Sequence, residues 1–177
     1  MTYSHFQHRH NFAVWCAARA VQRGFVKTPI LKKALEKCGI AEFIEKNGGE
    51  GIPLEKFDEL HEQWCKAILN TWEQESVKGA SYGRAAKLVA VYLKSMIVVQ
   101  NDGNSLSNVA HPPIDRILLQ KISRDETIKH PNRSEWRTIS WTTLDKTAYG
   151  KLVKDFREVI EGKPFWSIEK YWTVQED

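Results

Sequence analysis

Apolar positions recur along this chain at helical spacing almost throughout. Between His10 and Arg23, the residues Phe12, Ala13, Cys16, Ala17, Ala20 and Val21 repeat every three or four positions, which lines one side of an α-helix, and Gly24 ends the run. "TPILKKALEKCG" predicts a second helix, with Thr28 as its cap, Pro29 in the first helical position and Gly39 as terminator. A short helix over "IAEFIEKN" is expected to stop at Gly48 and Gly49. "PLEKFDELHEQWCKAILNTWEQE" carries the clearest stripe: Phe57, Leu60, Trp64, Ile68 and Trp72. The turn "SVKGASYG" follows, and Ser81 is placed to cap a helix over "SYGRAAKLVAVYLKSMIVV". The wide apolar face of that helix (Leu88, Val89, Tyr92, Leu93, Met96) predicts a central, heavily buried element. "QNDGNSLSNVA" is a loop by composition, "HPPIDRILLQKI" a helix, and "SRDETIKHPNRSEWRTIS" polar and irregular chain. "TTLDKTAYGKLVKDFREVIEG" returns to helical spacing, and "KPFWSIEKYWTVQED" predicts a short aromatic helix. There is no alternating strand pattern of useful length and no internal repeat. The expectation is a single compact all-α domain over 1–177, of roughly seven to nine helices.

Composition changes this picture little. Hydrophobic residues make up 42% and charged residues 27%, ordinary for a water-exposed globular chain, while seven tryptophans are many for 177 residues and leave some to serve as stacking surfaces. No apolar run approaches the roughly 20 residues that cross a bilayer. The polar start "MTYSHFQHRH" lacks the apolar core of a signal peptide, so a cytosolic chain with no membrane partner is expected. Cys16, Cys38 and Cys65 are odd in number, far apart and set in apolar helical patterns, which predicts reduced, buried thiols rather than a disulfide framework. A net charge of +4 permits nucleic-acid binding without demanding it.

Three stretches carry candidate chemistry. His5, His8 and His10 cluster, but at irregular spacing and without a nearby thiolate or carboxylate. In "ELHEQW" the position where a zinc-binding HExxH motif needs its second histidine holds Cys65. No metal and no cofactor is therefore expected. A metal-dependent hydrolase built on the N-terminal histidines is a minor reading, which elemental analysis would decide. In "VKGASYGRAAK", Gly79 and Gly83 flank Ser81 at a helix mouth, where backbone N–H groups and the helix dipole favour a phosphate, with Lys78, Arg84 and Lys87 nearby. An ordinary interhelical turn with solvated lysines fits the same residues. In "HPPIDRILL", Pro112 and Pro113 forbid an earlier helix start and leave Asp115 in the first turn. A carboxylate there is stabilised by the dipole as a plain helix start, or it is a rigidly held catalytic acid with His111 beside it.

Taken together, the last two stretches resemble the helix–hairpin–helix DNA glycosylase superfamily. In that family a hairpin with a glycine-rich turn precedes a helix that carries a lysine in bifunctional members, and an aspartate in a "PVD"-like stretch starts a later helix. Here "GRAAKLVAVYLK" matches the hairpin's second helix and "HPPIDRILLQKI" the aspartate helix, within about residues 64–123. Gly79 and Gly83 stand four apart where the family has a tight "GxG". The long loop between lysine and aspartate is closer to the archaeal 8-oxoguanine type, and the four-cysteine cluster of the iron–sulfur members is absent. The resemblance implies excision of a modified base from double-stranded DNA by a monomeric enzyme. The base would be an oxidised purine, or a hypermodified phage base such as glucosylated hydroxymethylcytosine in a phage-defence role. Asp115 would stabilise the oxocarbenium-like transition state, and Lys87, if it reaches C1′, would add strand cleavage through a Schiff base. An everted base needs aromatic walls, for which His111, Trp15, Trp136 and Trp141 are candidates. Lys78, Gly79, Ser81, Gly83, Arg84, Arg116, Arg133 and Arg137 would meet the DNA. The competing expectation is a non-catalytic all-α module that binds nucleic acid or protein.

Overall fold

The computed structural model describes residues 3–47, 52–100 and 105–172 as helix, turn and loop, with no strand among the described residues. The architecture is all-α. The expected stop at Gly48 and Gly49 and the "NDGN" part of the expected loop lie outside the described residues.

Helix α1 (His5–Val21) starts a turn earlier than the apolar spacing predicts, because Ser4 and Gln7 form a reciprocal capping box. Its buried face is Ala13, Val14, Ala17, Ala18 and Val21. Phe12, counted in the predicted stripe, instead faces outward. Three alanines on the inner face let α1 lie close along its neighbour. Helix α2 (Thr28–Lys37) begins with Thr28 as a helical residue and Pro29 in its first turn, and α3 (Ile40–Asn47) follows Gly39, whose φ of +83° suits glycine. Helix α4 (Leu54–Gln74) buries Phe57, Trp64, Ile68 and Trp72 as its stripe predicts.

Helix α5 (Tyr82–Leu93) is the centre of the molecule. Ten of its twelve residues are buried, Lys87 among them, and it packs against α1, α4 and α9. Ser81 caps it by accepting from the Arg84 N–H. Its far end widens into a π-helical turn, Lys94–Val98, closed by the Val99 N–H on the Lys94 carbonyl at 3.0 Å. Beyond it lie α6 (Ser105–Val109), in a stretch expected to be loop, and α7 (Arg116–Arg124). The supposedly irregular segment that follows makes a short helix, α8 (Arg133–Trp136), against α7. A 3₁₀ turn (Trp141–Thr143) lies on the start of α5, and α9 (Lys146–Ile160) is capped by Asp145. The chain then closes with a 3₁₀ segment, Phe165–Tyr171, packed on α6, α7 and α9. The buried apolar side chains form one cluster, with Trp72, Tyr92 and Phe57 fully enclosed. Each such side chain contributes on the order of 1.5–3 kcal/mol by leaving water.

Candidate functional site

Lys87 of α5 and Lys94, the first residue of the π-helical turn that continues it, are seven residues apart, two helical turns, and so project from the same side. Each meets a carboxylate from distant chain. Lys87 Nζ lies 3.1 Å from Oδ2 of Asp115, with only 9% and 8% of the two residues exposed. Lys94 bonds to Glu169. Two indoles complete the cluster. Lys87 Nζ sits 4.4 Å from the centre of the Trp141 ring, and Trp172 donates its Nε1–H to Oδ2 of Asp115 at 3.2 Å while its ring lies 5.5 Å from Lys94 Nζ.

Asp115 serves both readings drawn from its sequence, one with each oxygen. It is the residue before α7 rather than within the first turn, extended at φ −143°, and Oδ1 accepts the Leu118 N–H at 3.1 Å as a helix cap. Oδ2 is turned to Lys87 and Trp172. Burial holds the Glu169 carboxyl above its ordinary range. Lys94 offsets part of that rise, and the nearby negative charge of Asp115 adds to it.

The approach to Asp115 is anchored from within the core. His111 is 5% exposed and packs on Phe57, His61 and Phe165. With its proton on Nε2 it donates to Asp58 at 2.9 Å and accepts at Nδ1 from the Tyr149 hydroxyl at 3.2 Å. Arg157 grips the same Asp58 through both nitrogens at 2.8 and 2.7 Å. His61 stacks parallel on Tyr149, 5.5 Å between ring centres. Burial lowers the pKa of both histidines, and Arg157 and His111 hold Asp58 below the usual carboxylate range.

The other sequence candidates scatter. Trp141 stands at the pair. Trp136 is 1% exposed, set against Phe156 with its N–H on Asp155, and His111 is fixed as just described, so both are core side chains rather than walls of an open pocket. Trp15 is on the outer side of α1, turned away from α5. The helix mouth expected to cradle phosphate is engaged by the chain itself: the Gly83 N–H donates to the Leu144 carbonyl at 3.0 Å and the Arg84 N–H to Ser81. A Cβ at Gly83 would come within 2.1 Å of the Trp141 carbonyl oxygen, so the 141–144 turn occupies that approach. The Arg84 guanidinium lies 4.2 Å over the Phe25 ring, and Arg133 donates to the Ser123 carbonyl. Lys78, Gly79, Arg116 and Arg137 are exposed.

Sequence reasoning missed Lys94, Glu169 and Trp172. Only the seven-residue spacing of the two lysines on a helix otherwise apolar on that side hinted at the first. Two surface cavities of about 510 and 500 Å³ are lined by residues such as His130, Lys163 and Tyr171, and Arg157, Pro164 and Phe165; neither is lined by Lys87 or Asp115. Among the described residues no group of three or more His, Cys, Asp and Glu side chains is arranged to hold a metal ion, and no helix is long and apolar enough to cross a membrane. Cys38 and Cys65 are buried with their thiols pushed up, Cys38 to about 12, and Cys16 is half-buried. What the cluster offers chemically is an amine and a carboxylate at proton-exchange distance, screened from water by two indoles. No family model matches this chain, and neither does any curated protein or solved structure.

Proposed function

We propose that the chain is a DNA glycosylase that excises a modified base, with Asp115 and Lys87 as its catalytic residues. The observation that carries this reading is the contact between Lys87 Nζ and Asp115 Oδ2 at 3.1 Å, made between a helix interior and a proline-braced helix start 28 residues apart. A low-dielectric carboxylate is what an oxocarbenium-like sugar needs beside it, because its charge is little screened there. An amine at the same place is within reach of C1′. As the C1′–N bond breaks, its electron pair leaves on the base, which takes up a proton. Nζ then bonds to C1′ after giving its own proton to Asp115, the nearest acceptor. Once bonded, Nζ gives up a second proton to solvent and its lone pair expels O4′, which takes the proton from Asp115 as the C1′–O4′ bond breaks. The resulting Schiff base loses a C2′ proton and eliminates the 3′-phosphate, which cuts the strand.

An everted nucleotide has to pass Trp172 and Trp141, which now flank the pair, and their rings would then form its walls. Lys78, Gly79, Arg116 and Arg137 are the exposed candidates for the duplex backbone. The substrate would be an oxidised purine or a hypermodified base such as glucosylated hydroxymethylcytosine.

The test is incubation with duplexes that carry oxidised, deaminated or glucosylated bases, followed by alkali to cut at abasic sites, and borohydride to trap a covalent Lys87 adduct. A product with one of these that disappears in Asp115→Asn is the expected result. That neither cavity borders the pair favours a second reading, a non-catalytic binding module in which Lys87 and Asp115 only hold α5 to α7. On that reading no duplex yields product and Asp115→Asn alters stability alone.

A further inference from the structure

The exposed side of α1 carries a row of flat rings and cations. In helical order the outward residues are His5, His8, Asn11, Phe12, Trp15 and Arg19, continuing to Arg23 just past the helix end. Phe12 and Trp15 are 58% and 56% exposed and lie nearly parallel, 6.1 Å between ring centres at 30°. Tyr3, 62% exposed, folds back along the same side, its hydroxyl 3.2 Å from His8 Nδ1 and accepting from Asn11. Half of the six large apolar side chains exposed among the described residues are therefore gathered on this one face.

Two features say what would cover it. The face holds no aliphatic side chain, since the aliphatic residues of α1 are spent on the core, so its exposed apolar area consists of flat rings on which other planes can stack. It also lies in a strongly cationic part of the chain. The first 35 residues hold six of the 26 lysines and arginines and no Asp or Glu; Lys32 and Lys33 are taken up by Glu36 and Glu75, which leaves Arg9, Arg19, Arg23 and Lys27. Arg19 and Arg23 are exposed and enter no ion pair among the described residues.

We propose that this face binds an unpaired nucleic-acid strand, with bases stacked on Tyr3, Phe12 and Trp15 and phosphates held by Arg19 and Arg23. Every base has a π-face, so such a row grips a strand without reading its sequence, while arginines supply the salt-dependent part of the affinity. The surface points away from α5 and from the Lys87–Asp115 pair, so it is a separate contact and does not depend on the excision reading.

The test is anisotropy of a fluorescein-labelled single-stranded oligonucleotide of ordinary bases, titrated with the full-length protein at several salt concentrations. Because the bases are unmodified, the outcome stands whether or not Asp115 supports excision. Phe12→Ala/Trp15→Ala is expected to weaken binding at least tenfold with an unchanged melting temperature, as both rings are solvent-exposed. Arg19→Glu/Arg23→Glu is expected to weaken it and flatten its salt dependence. Binding within twofold of the parent in both variants overturns the proposal. So does duplex that competes as well as single strand, which would mean simple polyanion attraction. A change from dimer to monomer in the aromatic variant, with DNA affinity intact, overturns it in favour of a second copy of this chain.

Discussion

Trp172 donates its indole N–H to Asp115 at 3.2 Å, on the same oxygen that Lys87 reaches at 3.1 Å. Trp172 thus closes over a pair formed between α5 and the start of α7. Trp172→Phe keeps a ring there and removes the donor. It is expected to lower stability by about 1.5 kcal/mol, the low end for a bond to a charged acceptor because Trp172 is 39% exposed. In an Asp115→Asn background the same change should cost about half as much, since charge-assisted bonds are roughly twice as strong as neutral ones. Equal costs in both backgrounds, by urea denaturation, would show that the carboxylate does not feel the indole.

Asp115→Asn and Asp115→Ala separate the two duties of that side chain. Asparagine is as good a helix cap as aspartate and keeps an acceptor for the Leu118 N–H; alanine loses the cap too, at a further cost of about 1 kcal/mol. Both leave Lys87 buried without its counter-charge, a loss on the order of 3–5 kcal/mol for a pair this enclosed. Melting curves of both proteins and of Lys87→Met/Asp115→Leu check this. The double variant has no stranded charge and should be the more stable one, and a double variant that melts below Asp115→Asn contradicts the assignment.

Acid should weaken the fold earlier than its carboxylates alone would suggest. Burial lowers the pKa of His61 and His111 from the ordinary 6.5, so the unfolded chain takes up protons first. Stability from these groups is complete above about pH 6.5 and is lost progressively below it. Asp58 is also depressed; its share is present above the ordinary carboxylate value and goes only at much lower pH. The urea midpoint is therefore expected to hold steady between pH 7 and 8 and to fall from pH 6.5 to 5, with a shallower fall in His61→Phe. A midpoint unchanged down to pH 5 would exclude neutral buried histidines.

Gly83 and Gly79 differ in why they are glycine. Alanine at 83 would meet the Trp141 carbonyl oxygen at 2.1 Å, a backbone atom that cannot swing away, and is expected to destabilise by about 1–3 kcal/mol through displacement of the 141–144 turn. Alanine at 79 meets nothing within 4 Å and suffers only from the φ of +74°, about 1–2 kcal/mol. Trp141 fluorescence should shift in Gly83→Ala and stay put in Gly79→Ala. The reverse pattern would misplace the turn.

Much of this architecture was legible because the helices α1, α4 and α5 are long and their apolar periods strict. The Ser81 cap was visible for the same reason, as a polar residue at the edge of such a run, whereas the two prolines point to Asp115 within the first turn and it stands before it instead. Contacts closed over great chain separations were not. Lys94 meets Glu169 across 75 residues and Trp172 meets Asp115 across 57, and nothing in local spacing reports either. Trp136 misled through its neighbours: "RSEWRTISW" is polar, yet Asp155 from α9 supplies the one partner its indole needs, so it can be buried whole. Phe12 misled in the opposite sense: the predicted side of α1 does turn inward at Ala13, Ala17 and Val21, but a helical period does not say how far round the helix the covered arc extends, and Phe12 lies beyond its edge.

The π-turn at Lys94–Val98 has a consequence for chain length. One wide turn holds a residue more than a regular helix would in that rise, so everything beyond it is rotated by about 100° from the phase set by Leu93. Val99 is left 71% exposed, and Gln100 reaches back to Arg9 at 2.6 Å. A single-residue deletion anywhere in this stretch would rewind the helix to its ordinary pitch and swing Gln100 off α1. Exchanges of side chain that keep the count of residues would leave that clasp in register.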